Sequence, residues 1–166
     1  MLLIQGAKAS VKSADKRDDP ISRWLVQLTA RVGWCDLFSV NPATARGVPG
    51  LFSRNERVVC VFESARGLFL MALVGATIVG SIATVWHGVV NPPRPGTVRD
   101  WRYDDQNITL RQGDEMGRFL LGSTVVMLFP KDMLRLRSDW VPARTIQMGE
   151  AMARASCALR VARSAR

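Results

Sequence analysis

Cysteine, histidine and lysine are all scarce in this chain. Its three cysteines, Cys35, Cys60 and Cys157, are scattered over 166 residues with no close pair. An odd, dispersed set suits neither a disulfide framework nor a metal cluster, so no metal site is expected and a reducing compartment is the better setting. His87 is the sole histidine, and the lysines stop at Lys8, Lys12, Lys16 and Lys131. The remaining cations are arginines, whose planar guanidinium groups suit phosphate. Zinc-ligand spacing, a recognition-helix pattern and an aromatic-basic strand motif are all missing, so the basic charge does not point to nucleic acid. The opening MLLIQG is too short for a signal-peptide core before charge begins at Lys8, and no secretion signal is expected.

A net charge of +9 and a sequence pI near 10.7 call for an anionic partner. An anionic membrane surface satisfies that electrostatics at about 1 kcal/mol per basic residue near the headgroups. With 48% hydrophobic and 22% charged residues, the middle of the chain is expected to be globular or membrane-associated. Its length suits one domain.

Residues 5–20 are polar and charge-mixed, a mobile lead-in. Residues 21–32 set Ile21, Trp24, Leu25 and Leu28 on one helical face. From Leu37 to Phe129 short apolar or alternating stretches follow: LFSV, RVVCVFE, LFLMALV, ATIVGSIATVW, TVRDWRY, ITLR and STVVMLF. Turn signals such as NPATARGVPG and NPPRPG divide them. The expected fold is mainly β, an antiparallel sandwich or partly open barrel, with a short amino-terminal helix and a candidate carboxyl-terminal one. The tail from Glu150 has no further acid, and Met148, Met152, Ala155 and Leu159 would share a helical face that Arg163 interrupts; it is read as a solvated basic tail or a membrane-surface segment. Residues 67–90 are long enough to span a bilayer, but three glycines among Val, Ile and Thr favour two buried strands over a spanning helix.

The stretch RFLLGSTVVMLF, residues 118–129, places Gly122, Ser123 and Thr124 inside an apolar run. A bulge or close backbone approach at Gly122 explains it without chemistry, with the hydroxyls bonding locally. The alternative is a Gly-Ser bond that the chain cuts itself. Arg54, Asn55, Glu56 and Arg57 form a polar knot, read either as a solvated turn with a surface ion pair or as a structural network near a site. Arg118 is either a solvated strand residue or a ligand for phosphate or carboxylate. Asp36 is read as a cap or turn residue.

The ordered set LFSVN, RNER, VGATIVGSI, EMGRF and LGST, spread from Asp36 to Pro130, resembles the carboxyl-terminal catalytic part of bacterial phosphatidylserine decarboxylases. TIQMGEAMA, ending near residue 153, resembles the family's closing strand. The resemblance implies a division into residues 1–35, unlike the family, a decarboxylase-like β domain over 36–153, and a basic tail over 154–166. It also implies self-cleavage between Gly122 and Ser123. Ser123 attacks the Gly122 carbonyl, and the resulting ester eliminates and hydrolyses to a pyruvoyl group. That group, the only cofactor implied, would form a Schiff base with phosphatidylserine and release carbon dioxide, leaving phosphatidylethanolamine. Phe119, Leu120, Leu121, Val125 and Val126 would exclude water, Thr124 would orient the new carbonyl, and Arg118 would support the site. The implied location is peripheral, on the cytoplasmic face of the bacterial inner membrane, and an oligomer is compatible with it.

The resemblance also implies an upstream Asp and His that activate the serine, and the segments carrying them are not found here. His87, in TVWHG, is read as a partly buried or surface-turn residue; acting as the base would require Ser123 within hydrogen-bond reach. The chain thus reads as a decarboxylase-like, pyruvoyl-dependent lyase, in a truncated form expected to be slow or inactive. The alternative reading is a non-catalytic, membrane-associated β scaffold.

Overall fold

Alternating and continuous apolar runs become strands here, and the core follows from their register. A computed structural model describes residues 7–9, 36–91, 99–103, 106–122 and 124–155. Among these, ten strands form three antiparallel sheets. The largest sheet has the order β6-β1-β2-β3-β8, where β1 is Ala7–Ala9, β2 Arg57–Ser64, β3 Gly67–Val74, β6 Thr109–Leu110 and β8 Thr124–Leu128. A three-stranded sheet has the order β5-β4-β7, from Gly88–Asn91, Ile82–Thr84 and Gly117–Phe119. β9, Leu134–Leu136, pairs with β10, Ala153–Ala155.

The β2–β3 hairpin is the backbone of the fold, paired without a slip from Arg57↔Val74 to Ser64↔Gly67. β3 is buried on both faces over its last six residues, which is why LFLMALV is a continuous apolar run rather than an alternating one. On one face Cys60, Phe62, Phe69 and Met71 cluster with Leu110, and Met127 and Phe129 pack against them. Phe69 stacks on both Phe62 and Phe129, with centroids 5.2 and 5.5 Å apart. Trp86 meets Phe62 edge-on at 6.0 Å, bringing the turn after β4 onto the large sheet. A fully buried aromatic or leucine is worth about 2–3 kcal/mol, so this cluster carries much of the stability. Burial also pushes the Cys60 thiol up to about 12, so the free thiol behaves as a small apolar side chain.

Several expectations need correction. NPATARG is helical: Asn41 accepts a hydrogen bond from the Thr44 amide at 2.9 Å and Pro42 takes the first turn of α1, Pro42–Gly47. An Asn-Pro pair caps and starts a helix as readily as it makes a turn. A second short helix, α2, is Leu51–Arg54. LFSV forms no strand; the only β-bridge beside it among the described residues is Asp36↔Asn55. Only Ile82–Thr84 of ATIVGSIATVW pairs as a strand, and residues 99–103 do not. Ala7–Ala9, in the expected mobile lead-in, pairs between β2 and β6. The described part of the tail is extended rather than helical, with Met148 fully exposed and Met152 buried, so these two share no face. Residues 67–90 are strands and turns, and no helix among the described residues is long and apolar enough to cross a membrane. The expected amino-terminal helix over 21–32 lies outside the described residues.

Candidate functional site

The chain changes sheets at the LGST motif. β7 runs along β4, with Gly117↔Thr84, Arg118↔Ala83 and Phe119↔Ile82, and the Leu120 amide still donates to the Ser81 carbonyl at 3.1 Å. Four residues later Thr124 faces Val74, and β8 runs along β3 as far as Leu128↔Leu70. Leu120, Leu121 and Gly122 therefore bridge two sheets, each of which has its own ladder. Ser123 lies outside the described residues.

Three glycines near this crossover stand in different surroundings. A Cβ on Gly117 would lie 2.4 Å from the Ala83 carbonyl oxygen, and one on Gly75 would lie 2.7 Å from that of Val79. Both are glycines because another backbone passes too close for a side chain. At Gly122 no heavy atom among the described residues comes within 4 Å of that position, and its φ is not positive. Among the described residues neither a close approach nor a left-handed turn requires this glycine, while the bulge and local hydroxyl bonding read from the sequence turn on Ser123, outside those residues.

The expected dry surround is also absent among the described residues. Leu120 and Leu121 are 58% and 55% exposed, Val125 is exposed, and Phe119 and Val126 are half-buried. Thr124 is half-buried at the start of β8. Arg118 is exposed and makes a two-pronged ion pair with Glu115, at 2.6 and 2.9 Å. That carboxylate raises the Arg118 pKa further, so the guanidinium stays charged.

One residue beyond Val74, the polar knot forms a buried network. Asn55 is fully buried, and its amide nitrogen donates to the carbonyls of Phe38 and Gly75 at 2.8 and 2.9 Å. Its Oδ1 accepts from the Phe38 amide at 3.0 Å. The Gly75 amide donates to the Glu56 carbonyl at 2.7 Å, and the Glu56 amide to the Asp36 carbonyl at 2.8 Å. Asp36 is therefore part of this bridge, not a cap, and its carboxylate takes Arg54 Nε at 2.9 Å on the surface. Thr77 closes the set by donating to the Leu37 carbonyl at 2.8 Å. LFSVN, RNER and VGATIVGSI are thus one hydrogen-bonded unit at the end of the sheet where β8 begins. Sequence reasoning named the knot without finding Asn55 as its centre; an amide between two charged residues before an apolar strand was the available signal.

His87 lies in the exposed turn between β4 and β5. Its Nδ1 is hydrogen-bonded to the Tyr103 hydroxyl, and its ring lies against Trp101 at 4.7 Å. This turn follows Thr84, opposite Gly117, whereas the crossover follows Phe119, opposite Ile82. The histidine and the crossover are thus at opposite ends of the β4–β7 ladder. Among the described residues no group of histidine, cysteine and carboxylate side chains could hold a metal ion.

Comparison with known proteins adds to this geometry. The family model for phosphatidylserine decarboxylase matches residues 25–154. The phosphatidylserine decarboxylase proenzyme of Dechloromonas aromatica (strain RCB) is 73% identical over 116 residues, 70% of this chain and 41% of that protein. Those of Variovorax paradoxus (strain S110) and Polaromonas naphthalenivorans (strain CJ2) are each 74% identical, over 71% of this chain and 42% of their own length. The chain spans about two-fifths of the length of these curated relatives.

Proposed function

The chain belongs to the phosphatidylserine decarboxylase family, and from that premise we propose that it cuts itself between Gly122 and Ser123 and serves the decarboxylation of phosphatidylserine to phosphatidylethanolamine. The observation that carries this reading is the crossover. β7 is held by β4 and β8 by β3, so a break between residues 122 and 123 severs no ladder and leaves both new ends anchored. Among the described residues packing gives no reason for Gly122, and a missing side chain beside the scissile carbonyl is what an approaching hydroxyl needs.

In the proposed reaction the Ser123 hydroxyl oxygen attacks the Gly122 carbonyl carbon and the amide becomes an ester. Elimination frees the Gly122 carboxylate, and water then displaces the residue-123 nitrogen as ammonia, leaving a pyruvoyl group. Its carbonyl supplies the electron sink for losing carbon dioxide that pyridoxal phosphate provides in other enzymes. In this reading Thr124, held opposite Val74, would orient that carbonyl, and Arg118 would reach a lipid phosphate by exchanging Glu115 for it. The Asn55 network fixes the sheet end from which Thr124 departs.

The substrate is an anionic lipid and the chain carries +9, which supports a peripheral position at the cytoplasmic face of a bacterial inner membrane. The place of His87 supports a second reading. The only histidine of the sequence sits at the far end of β7, so no imidazole stands at the crossover to act as base, and such help is worth about 10²- to 10⁴-fold. Without a base from elsewhere the chain would act as a membrane-associated scaffold. Intact-mass measurement separates the two. Cleavage yields fragments 1–122 and 123–166, the second blocked at its amino terminus, whereas the scaffold stays whole. Incubation with phosphatidylserine vesicles should yield phosphatidylethanolamine from the parent and none from Ser123→Ala; equal yields would overturn the reading.

A further inference from the structure

The two-stranded sheet sets Arg154 directly opposite Arg135, both exposed. Directly opposed residues of an antiparallel pair have Cβ atoms about 5 Å apart, and like charges there repel. The repulsion becomes attraction once an anion lies between the two guanidinium groups.

The segment joining these strands is braced. Arg137 grips Asp139 through two hydrogen bonds of 2.9 and 2.8 Å. Arg144 makes a two-pronged pair with Glu150, lies over the Trp140 ring at 4.9 Å, and its amide closes a turn on the Val141 carbonyl. The Glu150 amide closes another on Gln147. On this braced frame Val141 and Ile146 are 57% and 62% exposed and Met148 is fully exposed. Single exposed apolar residues are ordinary; three in the one braced segment that joins the two arginine-bearing strands are not.

We infer that residues 134–155 form a docking face for an anionic phospholipid bilayer. Arg135 and Arg154 take headgroup phosphates, while Val141, Ile146 and Met148 enter the acyl boundary. Charge decides the occupant. A second copy would bring another +9 and the same arginine pair, and a nucleic acid would leave the three apolar tips in water. Past Glu150 the sequence has no acid to neutralise the pair. The inference rests on the lipid-substrate reading only in that the substrate arrives in a bilayer.

The test is flotation of the full chain with phosphatidylcholine vesicles, with and without phosphatidylglycerol, a lipid that lacks the serine headgroup, so that binding is read whether or not cleavage or decarboxylation occurs. Vesicles with phosphatidylglycerol should bind and neutral ones should not. Replacing both arginines, Arg135→Gln with Arg154→Gln, should weaken binding about 30-fold, near five-fold for each. Ile146→Ser with Met148→Ser should weaken it about ten-fold, including in high salt, where headgroup attraction is screened. Arg46→Gln with Arg111→Gln removes the same charge from exposed sites elsewhere and should cost less than about three-fold. Thermal melts show which variants keep the fold. An equal loss in the Arg46/Arg111 variant would overturn the proposal, as would unchanged binding in folded Arg135/Arg154 variants. So would an Ile146/Met148 variant that dissociates an oligomer while still floating, which would assign the face to a second copy.

Discussion

The β2–β3 hairpin and the β7–β8 crossover are written in similar apolar letters, VVCVF and LFLMAL against FLLG, yet they occupy opposite environments. In the hairpin every residue has a cross-strand partner and β3 is buried on both faces. In the crossover two leucines are exposed, and among the described residues nothing near Gly122 would resist a side chain. The difference teaches that ladders secure the chain on either side of the crossover, β7 by β4 and β8 by β3, which is what the proposed cleavage between them would require.

The contrast is broken most severely at Asn55. Asn55→Ala would remove the hydrogen-bond partner of the buried Gly75 carbonyl and of the half-buried Phe38 amide and carbonyl, at about 1–3 kcal/mol each, and should cost about 4 kcal/mol in urea unfolding. A loss under about 1 kcal/mol would mean water replaces the side chain and the network is not what anchors this end. Next come the glycines. Gly117→Ala forces a methyl against the Ala83 carbonyl and should cost about 3 kcal/mol, whereas Gly122→Ala should lie within about 0.5 kcal/mol of the parent while slowing self-cleavage. Equal stability losses at 117 and 122 would erase the distinction between fixed and free segments.

These residues also show how far the sequence could be read. Apolar runs with β-branched residues gave the hairpin and β8, because burial and pairing are periodic and local patterns report them. The mainly β architecture was legible on the same ground; that β7 and β8 lie in different sheets on either side of LGST was not read from the sequence. Asn41-Pro42 was misread because a helix cap and a turn use the same two residues. That LFSVN, RNER and VGATIVGSI meet at Asn55 was hidden, since hydrogen bonds across 17 and 20 residues leave no periodic trace. Exposure of Leu120 and Leu121 was hidden too, because a run of leucines says only that burial is favourable. That Arg118 pairs with Glu115, three residues earlier, was likewise not read from the sequence, which presented the arginine only as solvated or as a ligand for phosphate or carboxylate.

The hairpin's interior supplies a smaller test. Cys60→Ser sets a hydroxyl among Phe62, Phe69 and Met71 and should cost about 2 kcal/mol. In the parent, a thiol pushed up to about 12 by burial should react with an alkylating agent only when the hairpin opens, so labelling of Cys60 and urea unfolding should coincide. Labelling well before unfolding would show the hairpin to be less secure than its packing implies.

The smallest effect concerns the braced loop. The hydrogen bond from Arg144 holds the Glu150 carboxyl below its ordinary value, and Arg137 does the same for Asp139. A folded-state pKa that is depressed contributes stability above the unfolded value and loses it as pH falls through the folded one. The brace is therefore complete at neutral pH and releases only in acid below the usual carboxylate range. Both groups are solvent-accessible, so Glu150→Gln should shift the midpoint of urea unfolding only slightly at pH 7 and not at all once the parent's carboxyl is protonated. Because β9 and β10 pair independently of this ion pair, the variant should keep the Arg135–Arg154 ladder while the loop between them loosens. A Glu150→Gln variant whose shift at pH 7 matches its shift in strong acid would show that the ion pair does not stiffen the loop, and would remove the bracing from the contrast between fixed and free segments.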